Sequence, residues 1–593
     1  MQLLRHLQLV GTDQELEAAW QAAGGHALTL QLLGRFIAEA FADRDIRHYR
    51  EVQFEEADRE RQGRSAFKVM IAYEKWLQQG GVARQRELSI LRLTGLFDRP
   101  ISHGCLQALR AAPVLPGITD GLAELSERQR QIAVNRLASI DLLSETADGI
   151  DAHPLIREYF SQQLRQQQPE TFKAAHGRIF DHLCQNTPHR PDDLPGLQPL
   201  YQAVVHGCLA DRQQEACDRV YYDRILRGAE AYSTKKLGAI GADLSAVAAF
   251  FEQPWSRVSA RLSAADQAWL LGQAAFRLRA LGRLTEALQP LRAGLEMDVQ
   301  REDWENAARS ANNLSELQVS LGLLDAGVKD GQQAVEYADR SGDAFQRLSK
   351  RATAADALLQ RQRPGTGADP EELEQSRRLF ATAEELQQEL QPQYPRLYSL
   401  PGFRYCDLLL VPAEQAAWRC VAQAAGDGGV SLSLTAVLAA VHERAEQTLR
   451  WIQQTNGLLD IGLDHLTLAR VSLYRWLLAG DRAAAVPVEH LQPAVEYLRR
   501  AGQEDHLPKG LLTAAVVAFL QGQLDRCREL LAETQLIAER GPMPLYLADV
   551  HLHRARLFQD AEELNRAGDL IRQHHYGRRF EELTDAERPV NGE

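Results

Sequence analysis

The sequence predicts a mainly α protein with three parts in order: short helices, a winged-helix domain and an α-α superhelix. The strongest observation is a series of paired helices after residue 261, in which apolar residues recur at helical spacing. Glycines close the turns: Gly282 lies 40 residues before Gly322, and Gly480 lies 42 residues before Gly522. Helix pairs of this kind cannot bury their apolar faces alone, so they stack into a solenoid with a concave groove.

A second observation, in residues 142–164, predicts a β hairpin that leads into a helix. The apolar pair at 142–143 and residues 150–152 are expected to form the two strands. His153 and Pro154 then begin the helix, because proline is well suited to a first helical turn. His153 is therefore expected at a helix N-terminus, where free backbone N–H groups and partial positive charge favour an anion such as a phosphate.

The order of these patterns predicts five segments. A proline-rich break at 186–199 marks one candidate boundary, and residues 363–370 and 425–431 are predicted to be flexible interruptions. The segments are a group of helices at 1–60, a winged-helix domain at 61–165, a helical linker domain at 166–260, a repeat domain at 261–580 and a polar tail at 581–593. Within the winged-helix domain, short helices are expected at 104–109 and 121–125.

The first segment contains a break, Gly24-Gly25-His26, before an apolar helix that runs from Ala27 to Ala40. Two interpretations remain open from the residues alone. The break is either a simple loop ahead of a core helix, or a backbone turn that lies against a nucleotide base.

The composition is that of a soluble protein with several domains: 593 residues, 45% hydrophobic, 25% charged, and a formal net charge of −13. The acidic balance argues against a general nucleic-acid or anionic-membrane surface. The segment at 129–143, which is at the position of the DNA-recognition segment of the predicted winged helix, also mixes basic and acidic residues. No apolar run approaches the roughly 20 residues that span a bilayer. We therefore expect a cytoplasmic protein with no nucleic-acid and no membrane partner.

The seven cysteines have wide, irregular spacing and form no CxxC motif, which predicts reduced thiols and no metal site. Three groups contain residue types that can bind a metal. They are His206 with Cys208 and Cys217, His551 with His553, and His574 with His575. None has a full set of partners at ligand spacing, so a structural role is favoured for each. No GxxxxGK[ST] phosphate loop, GxSxG, HExxH or paired-carboxylate signature stands out either, so no catalytic residue is assigned.

Three stretches carry a resemblance to a known family. They are GGHALTLQLLGRFI (24–37), LSILRLTGLFDRPIS (88–102) and IDAHPLIREYF (150–160). With the paired helices that follow, they resemble the C-terminal two-thirds of a bacterial STAND ATPase of the NB-ARC/AP-ATPase-like class, a signal-transduction ATPase with numerous domains, with tetratricopeptide-type (TPR) repeats. The resemblance covers nearly the whole chain. It implies that residues 1–60 are the remnant of the helical lid of the NTPase module and that the repeats are a sensor.

The resemblance also implies a nucleotide contact. In the family, a glycine-x-proline turn of the lid touches the adenine, and Gly25, His26 and Ala27 match it, with Ala27 in place of the proline. The family's winged helix carries a histidine that holds the β-phosphate of ADP in the off state, in a motif similar to Met-His-Asp. His153 matches that histidine, with alanine before it and proline after it.

The family's phosphate loop, Walker B acid and sensor arginine lie upstream of such a lid and are absent here. The resemblance therefore implies a fragment that binds ADP or ATP only together with an upstream nucleotide-binding core, has no cofactor by itself and is not an enzyme as given. Its expected partners are a protein or peptide ligand in the repeat groove, upstream NTPase and effector domains, and further copies of the chain after activation.

Three functions follow as expectations. In the first, ligand binding to the repeats releases an ADP-locked state and permits ATP-dependent oligomerisation, in a role such as anti-phage defence. In the second, the chain is a stand-alone TPR scaffold with no link to a nucleotide. In the third, it is a transcription activator similar to the maltotriose-responsive type. This function ranks last because that class ends in a helix-turn-helix, whereas the helix predicted at the end of this sequence is acidic.

Overall fold

The computed structural model describes residues 2–52, 54, 64–147, 149–361, 370–422, 432–454, 457–480 and 484–588. This part of the chain is mainly α-helical, as the sequence predicts, with 28 α-helices and two small antiparallel sheets. The chain divides into an N-terminal unit, residues 1–191 with 196–220, and a C-terminal unit, residues 192–195 with 221–593. None of the described helices is long and apolar enough to cross a bilayer.

Local capping explains where several helices of the N-terminal unit begin. Thr12 and Ser126 each form a capping box, in which the cap side chain and a side chain three residues later satisfy backbone N–H groups reciprocally. A 3₁₀ helix covers Ile46–Val52. The α-helices are α1 Gln2–His6, α2 Asp13–Ala22, α3 Ala27–Ala40, α4 Arg64–Gln78, α5 Val82–Thr94, α6 His103–Arg110, α7 Glu127–Ser139, α8 Pro154–Gln167, α9 Pro169–Asn186, α10 Leu194–Leu209 and α11 Gln213–Glu215.

The predicted hairpin is present ahead of α8, as strands β1 (Ser144–Thr146) and β2 (Gly149–Asp151). Its first strand begins later than the sequence predicts. Leu142 and Leu143 are both buried, at 0% and 6% exposure, whereas a strand would turn successive side chains to opposite faces.

One predicted helix, at 121–125, is not formed, because residues 116–124 are turns. The Arg110 guanidinium donates hydrogen bonds to the carbonyls of Leu122 and Leu125, at 3.1 and 2.6 Å. The Leu122 carbonyl also accepts a turn hydrogen bond from the Leu125 N–H at 3.3 Å, so the segment is held as turns by Arg110 and by short-range backbone bonds.

The hairpin depends on Gly149, which gives the first testable prediction. Its φ is +138°, and an added Cβ would lie 1.9 Å from the carbonyl oxygen of Ile101, in the backbone bridge between Ile101 and Ile150. We expect Gly149→Ala to lower the free energy of unfolding by roughly 2–4 kcal/mol, from backbone strain and a backbone clash. Urea titration of the purified chain measures it.

Gly81→Ala is the matched control, because an added Cβ there meets nothing within 4 Å and the backbone has a φ of −68°. Equal stability of both variants would contradict the described hairpin geometry.

The C-terminal unit contains the paired helices. Its strands are β3 (Phe251–Gln253) and β4 (Arg257–Val258); a π-helical segment covers Ala216–Leu226, and 3₁₀ segments cover Gly228–Glu230 and Gly577–Arg579. The α-helices are α12 Tyr232–Lys235, α13 Ile240–Ala248, α14 Ala264–Ala280, α15 Leu284–Gln300, α16 Trp304–Ser320, α17 Leu324–Ser341, α18 Ala344–Gln360, α19 Pro370–Leu390, α20 Ser399–Ala422, α21 Leu432–Gln453, α22 Leu458–Ala479, α23 Leu491–Ala501, α24 Leu507–Leu520, α25 Leu524–Arg540, α26 Pro544–Phe558, α27 Ala561–Gln573 and α28 Phe580–Glu587.

The turn glycines close the helix pairs as the sequence predicts. Gly282, Gly322 and Gly522 have φ between +69° and +74°, a left-handed backbone that other residues rarely adopt. The partner helix starts two residues later, and Leu284 and Leu324 are buried at that position. Consecutive helices pack against each other in a superhelical pattern, and one hydrophobic core cluster extends from Leu244 to Leu557. The predicted α-α superhelix is therefore confirmed.

Three sequence-level expectations about irregular segments have different outcomes. The non-helical segment predicted at 186–199 is shorter in the structure and covers residues 187–193, because α10 begins at Leu194 and contains Pro199. The interruption at 425–431 lies outside the described residues, as does 363–370 except for Pro370, where α19 begins. The expected tail is helical as far as Glu587, since α28 buries Leu583 at 2% exposure.

Candidate functional site

The turn that the resemblance matches to an adenine contact lies directly before α3. Gly24 and Gly25 have φ of +71° and +72°. His26 is the N-cap residue of α3, and its side chain makes no capping hydrogen bond. His26 and Ala27 are exposed, while the Trp20 ring packs beneath Gly25. The turn thus presents backbone and an imidazole to solvent at the start of a 14-residue helix.

His153 is the N-cap residue of α8, as the sequence predicts, and it is exposed. Its Nδ1 accepts a hydrogen bond of 3.2 Å from the backbone N–H of Leu155. In the neutral imidazole the proton is therefore on Nε2, so Nε2–H remains available as a hydrogen-bond donor. Pro154 occupies the first turn, where a backbone N–H would have no intrahelical partner.

Within the described ranges, no hydrogen bond joins His153 to residues 24–27. Asp141, which precedes the hairpin, links α3 to the segment that leads to His153. Arg35 Nε and Gln31 Nε2, both on α3, donate to Asp141 Oδ2 at 2.9 and 3.1 Å. The helix behind the turn is thus held against the segment that leads to His153.

The histidines weighed as metal ligands all have other partners. His206 Nδ1 lies 2.7 Å from His176 Nδ1, and burial lowers the pKa of His206 to about 4. His551 contacts Glu563, His553 Nδ1 donates to the Asp549 carbonyl at 2.7 Å, and His574 donates to the carbonyl of Gly322. Their positions are explained by packing and hydrogen bonding.

The most developed site is a cavity of about 150 Å³ inside the C-terminal unit, which sequence reasoning did not predict by residue. Its walls come mainly from the first helices of successive pairs: α14, α16, α18, α20, α22, α24 and α26. Six cationic and six carboxylate side chains line it. They are Arg279, Arg404, Arg470, Lys509, Arg578 and Arg579, with Glu316, Asp356, Asp407, Glu414, Asp505 and Asp549.

One group of ion pairs joins α20 and α22 to the turn before α28. Arg470 donates to Asp407 at 2.7 Å, and Arg578 donates to Glu414 at 2.8 Å and to Asp407 at 3.0 Å. Burial opposes the ionisation of Asp407, but the guanidinium groups of Arg578 and Arg470 outweigh it and hold its pKa well below its usual range. These two arginines and two carboxylates therefore pair with each other as charged groups in the interior.

A second group connects α14, α16 and α20 with the start of α24. Arg279 contacts Glu316 at 2.6 Å and Asp505 at 2.7 Å, and Arg404 contacts Glu316 at 2.8 Å. Burial raises the pKa of Glu316, yet Arg404 and Arg279 lower it further, to well below its usual range. Glu316 is thus shared by two buried arginines.

A third group is built on Arg579. Its Nε donates to Asp549 at 2.7 Å, and its guanidinium also contacts Glu582, which pairs with Arg556 at 2.7 Å. The turn formed by residues 576–579 therefore contributes two arginines to the cavity wall and closes one side of it.

A few polar groups of the lining have no such partner. The Lys509 ammonium lies 5.0 Å from the centroid of the Phe403 ring, and no described carboxylate comes within 4.0 Å of it. Asp505 Oδ1, His506 Nδ1 and Arg578 Nε are buried and have no hydrogen-bond partner. Such atoms are uncommon in folded proteins, and they indicate that the cavity can satisfy a polar ligand.

The lining also contains apolar side chains, among them Trp418, Leu473, Leu477 and Val516. A sequence signal for the site did exist: Arg470 interrupts the apolar run LTLARVSLY, as Asp407 interrupts FRYCDLLL. Charges within an otherwise buried helix face need partners, which the sequence alone does not identify.

Comparison with known proteins gives a structural likeness and no sequence match. No protein-family model matches the chain, and no curated protein matches it. Among solved structures, the chain is similar to a Signal Transduction ATPase with Numerous Domains (STAND) protein with a tetratricopeptide repeat sensor from Pyrococcus horikoshii. The alignment covers 97% of this chain and 71% of that chain, at 13% identity and a TM-score of 0.34. No residue role follows from a likeness at this level.

Proposed function

We propose that this chain is the regulatory and sensor part of a STAND-type NTPase. The observation that carries the proposal is the charge-lined cavity inside the repeat unit, because a buried site with unsatisfied polar atoms is suited to ligand recognition. A ligand bound on the concave side of the repeats, a protein or peptide, favours the arrangement in which the winged-helix part leaves the nucleotide site. The ligand can shift this equilibrium only by its difference in affinity for the two arrangements.

The nucleotide half of the proposal rests on His153 and the turn at 24–27. Each lies at the N-terminus of a helix, is exposed and offers hydrogen-bond donors, as a phosphate or a base edge requires. In the proposal, an upstream core supplies the remaining contacts to ADP, and exchange for ATP permits oligomerisation and effector activation. The chain by itself carries out no catalysis, and a role in defence against phage is consistent with this scheme.

The coding sequence upstream of residue 1 tests the proposal most directly. An in-frame GxxxxGK[ST] motif that follows a strand is expected. A start site directly before Met1 with no such motif would favour the second function, a TPR scaffold for protein interaction, which the solenoid fold itself supports. A full-length protein that still responded to its trigger after deletion of residues 261–593 would also contradict the sensor role.

His153→Ala is the mutational test of the nucleotide link. In the protein that includes the upstream core, we expect this change to weaken ADP binding by about 10-fold or more, because it removes a hydrogen bond to a charged phosphate. Titration with a fluorescent ADP analogue measures the dissociation constant. His103→Ala is the matched control, since His103 is also an exposed histidine at a helix N-terminus, that of α6. Equal ADP affinity of the His153 variant and the control would disprove this contact.

A further inference from the structure

We propose that the cavity of the C-terminal unit binds a free α-amino acid with an apolar side chain. This ligand is additional to any protein or peptide bound on the concave side of the repeats. The inference rests on the proposed function only for its link to signalling, because binding itself is measurable on this chain alone.

The charged side chains of the lining are balanced in number. The six cationic side chains of the lining are matched by six carboxylates. His506 and His553 add no charge at pH 7, since burial lowers the pKa of each to about 4. A ligand with a net charge would leave one buried charge uncompensated, which is costly. A zwitterion adds one charge of each sign and preserves the balance.

Some buried atoms of the lining have no hydrogen-bond partner, among them Arg578 Nε, a donor suited to a carboxylate, and Asp505 Oδ1, an acceptor suited to an ammonium group. The Lys509 ammonium, with no described carboxylate within 4.0 Å, is a further donor suited to a carboxylate. Asp505, His506 and Arg578 are 4%, 6% and 7% exposed, so bulk water does not satisfy them. Asp505 and Lys509 lie within one helical turn of the start of α24, which places both kinds of group close together, as an α-amino acid requires.

The volume of the cavity and its apolar side chains also fit an amino acid with an apolar side chain. A cavity of about 150 Å³ accommodates a molecule of roughly six to ten non-hydrogen atoms. Trp418, Leu473, Leu477 and Val516 provide an apolar surface beside the charged groups. A ligand with both an ionic head and an apolar side chain matches both surfaces, whereas a simple anion would leave the apolar surface unused.

The experiment is isothermal titration calorimetry of the purified chain with each of the common L-amino acids at neutral pH. We expect at least one of leucine, isoleucine, valine and methionine to bind with a dissociation constant of about 100 µM or tighter, which is within the range for a ligand of this size. Its amide, which lacks the carboxylate, and its 2-hydroxy analogue, which lacks the ammonium, should each bind about 10-fold or more weakly.

Lys509→Met is the diagnostic variant. It removes the ammonium group and keeps an unbranched side chain against Phe403. The melting temperature of this variant without ligand shows whether it remains folded. We expect affinity for the amino acid to fall by about 10-fold or more. Lys509→Arg should retain part of the affinity, and Lys329→Met, at an exposed position on α17, should bind as the unchanged chain does.

Three outcomes overturn the proposal: none of the L-amino acids binds, Lys509→Met binds as tightly as the unchanged chain, or acetate binds as tightly as the amino acid. Each leaves the proposed function open, because that function is decided by the upstream coding sequence and by ADP binding. Conversely, absence of an upstream phosphate loop would remove the nucleotide link and leave the amino-acid site intact.

Discussion

Acidification from pH 7 to pH 5 is expected to lower the free energy of unfolding of the C-terminal unit by about 4 kcal/mol, or about 2 kcal/mol for each of His506 and His553. Both imidazoles are fully buried, and burial lowers the pKa of each to about 4. In the unfolded chain the same groups titrate near pH 6.5. Their folded pKa is the lower one, so the contribution is complete above about pH 6.5 and is lost as the pH falls from there toward about 4.

The surroundings of His506 account for the direction of its shift. Asp505 favours its protonation, but burial together with Lys509, Arg279 and Arg404 opposes it more strongly. Urea titrations at several pH values between 7.5 and 5 measure the effect. His506→Gln and His553→Gln should each reduce the loss between pH 7 and pH 5 by about 2 kcal/mol, because each removes one buried imidazole.

The control is His103→Gln, at an exposed position, which should leave the pH dependence unchanged. A free energy of unfolding that stayed constant between pH 7.5 and 5 would show that these imidazoles are not buried as described.

Asp407→Ala is expected to lower the free energy of unfolding by about 3–5 kcal/mol. Asp407 is the shared partner of Arg470 and Arg578, and all three side chains are buried. Removing the carboxylate leaves two guanidinium groups in the interior with Glu414 as their remaining acidic partner. Removing one partner from a buried ion pair costs much more than the pair contributes as a whole, because the remaining charge is left without compensation.

Two further variants test whether the loss comes from uncompensated buried charge. Combining Asp407→Ala with Arg578→Met should recover part of the loss, since the substitution also removes an uncompensated charge. Asp525→Ala removes a carboxylate that is 99% exposed and pairs with Arg528, and it should cost less than about 1 kcal/mol. Comparable losses for Asp407→Ala and Asp525→Ala, measured by urea titration, would contradict the described network.

Local patterns in the sequence were enough to predict most of the helices. The capping residue Ser263 and the turn glycines fix the beginning and end of the helix pairs, because these signals act over a few residues. The position of His153 at a helix N-terminus follows in the same way. Its contact with a nucleotide, like the contact of Gly25, stays a prediction.

The cavity could not be predicted, because its contacts join residues that are far apart in the chain. Arg578 meets Asp407 across 171 positions, and Arg279 meets Asp505 across 226. Nothing in the periodicity of α14 or α20 distinguishes a charge that faces a distant partner from one that faces water. The strands β1 and β2 were also misplaced slightly, since consecutive buried leucines resemble a strand when no packing partner is known.

The turn at residues 576–579 has a mechanical consequence. In an open array, each repeat contacts only its neighbours. Such an array can therefore extend elastically under tension and unfold one repeat at a time from one end. Here Arg578 and Arg579 fasten the end of the array to α20 and α26, and Tyr576 bridges to Arg361. Under tension, the C-terminal unit is therefore expected to resist extension and to rupture in one large step instead of unravelling repeat by repeat.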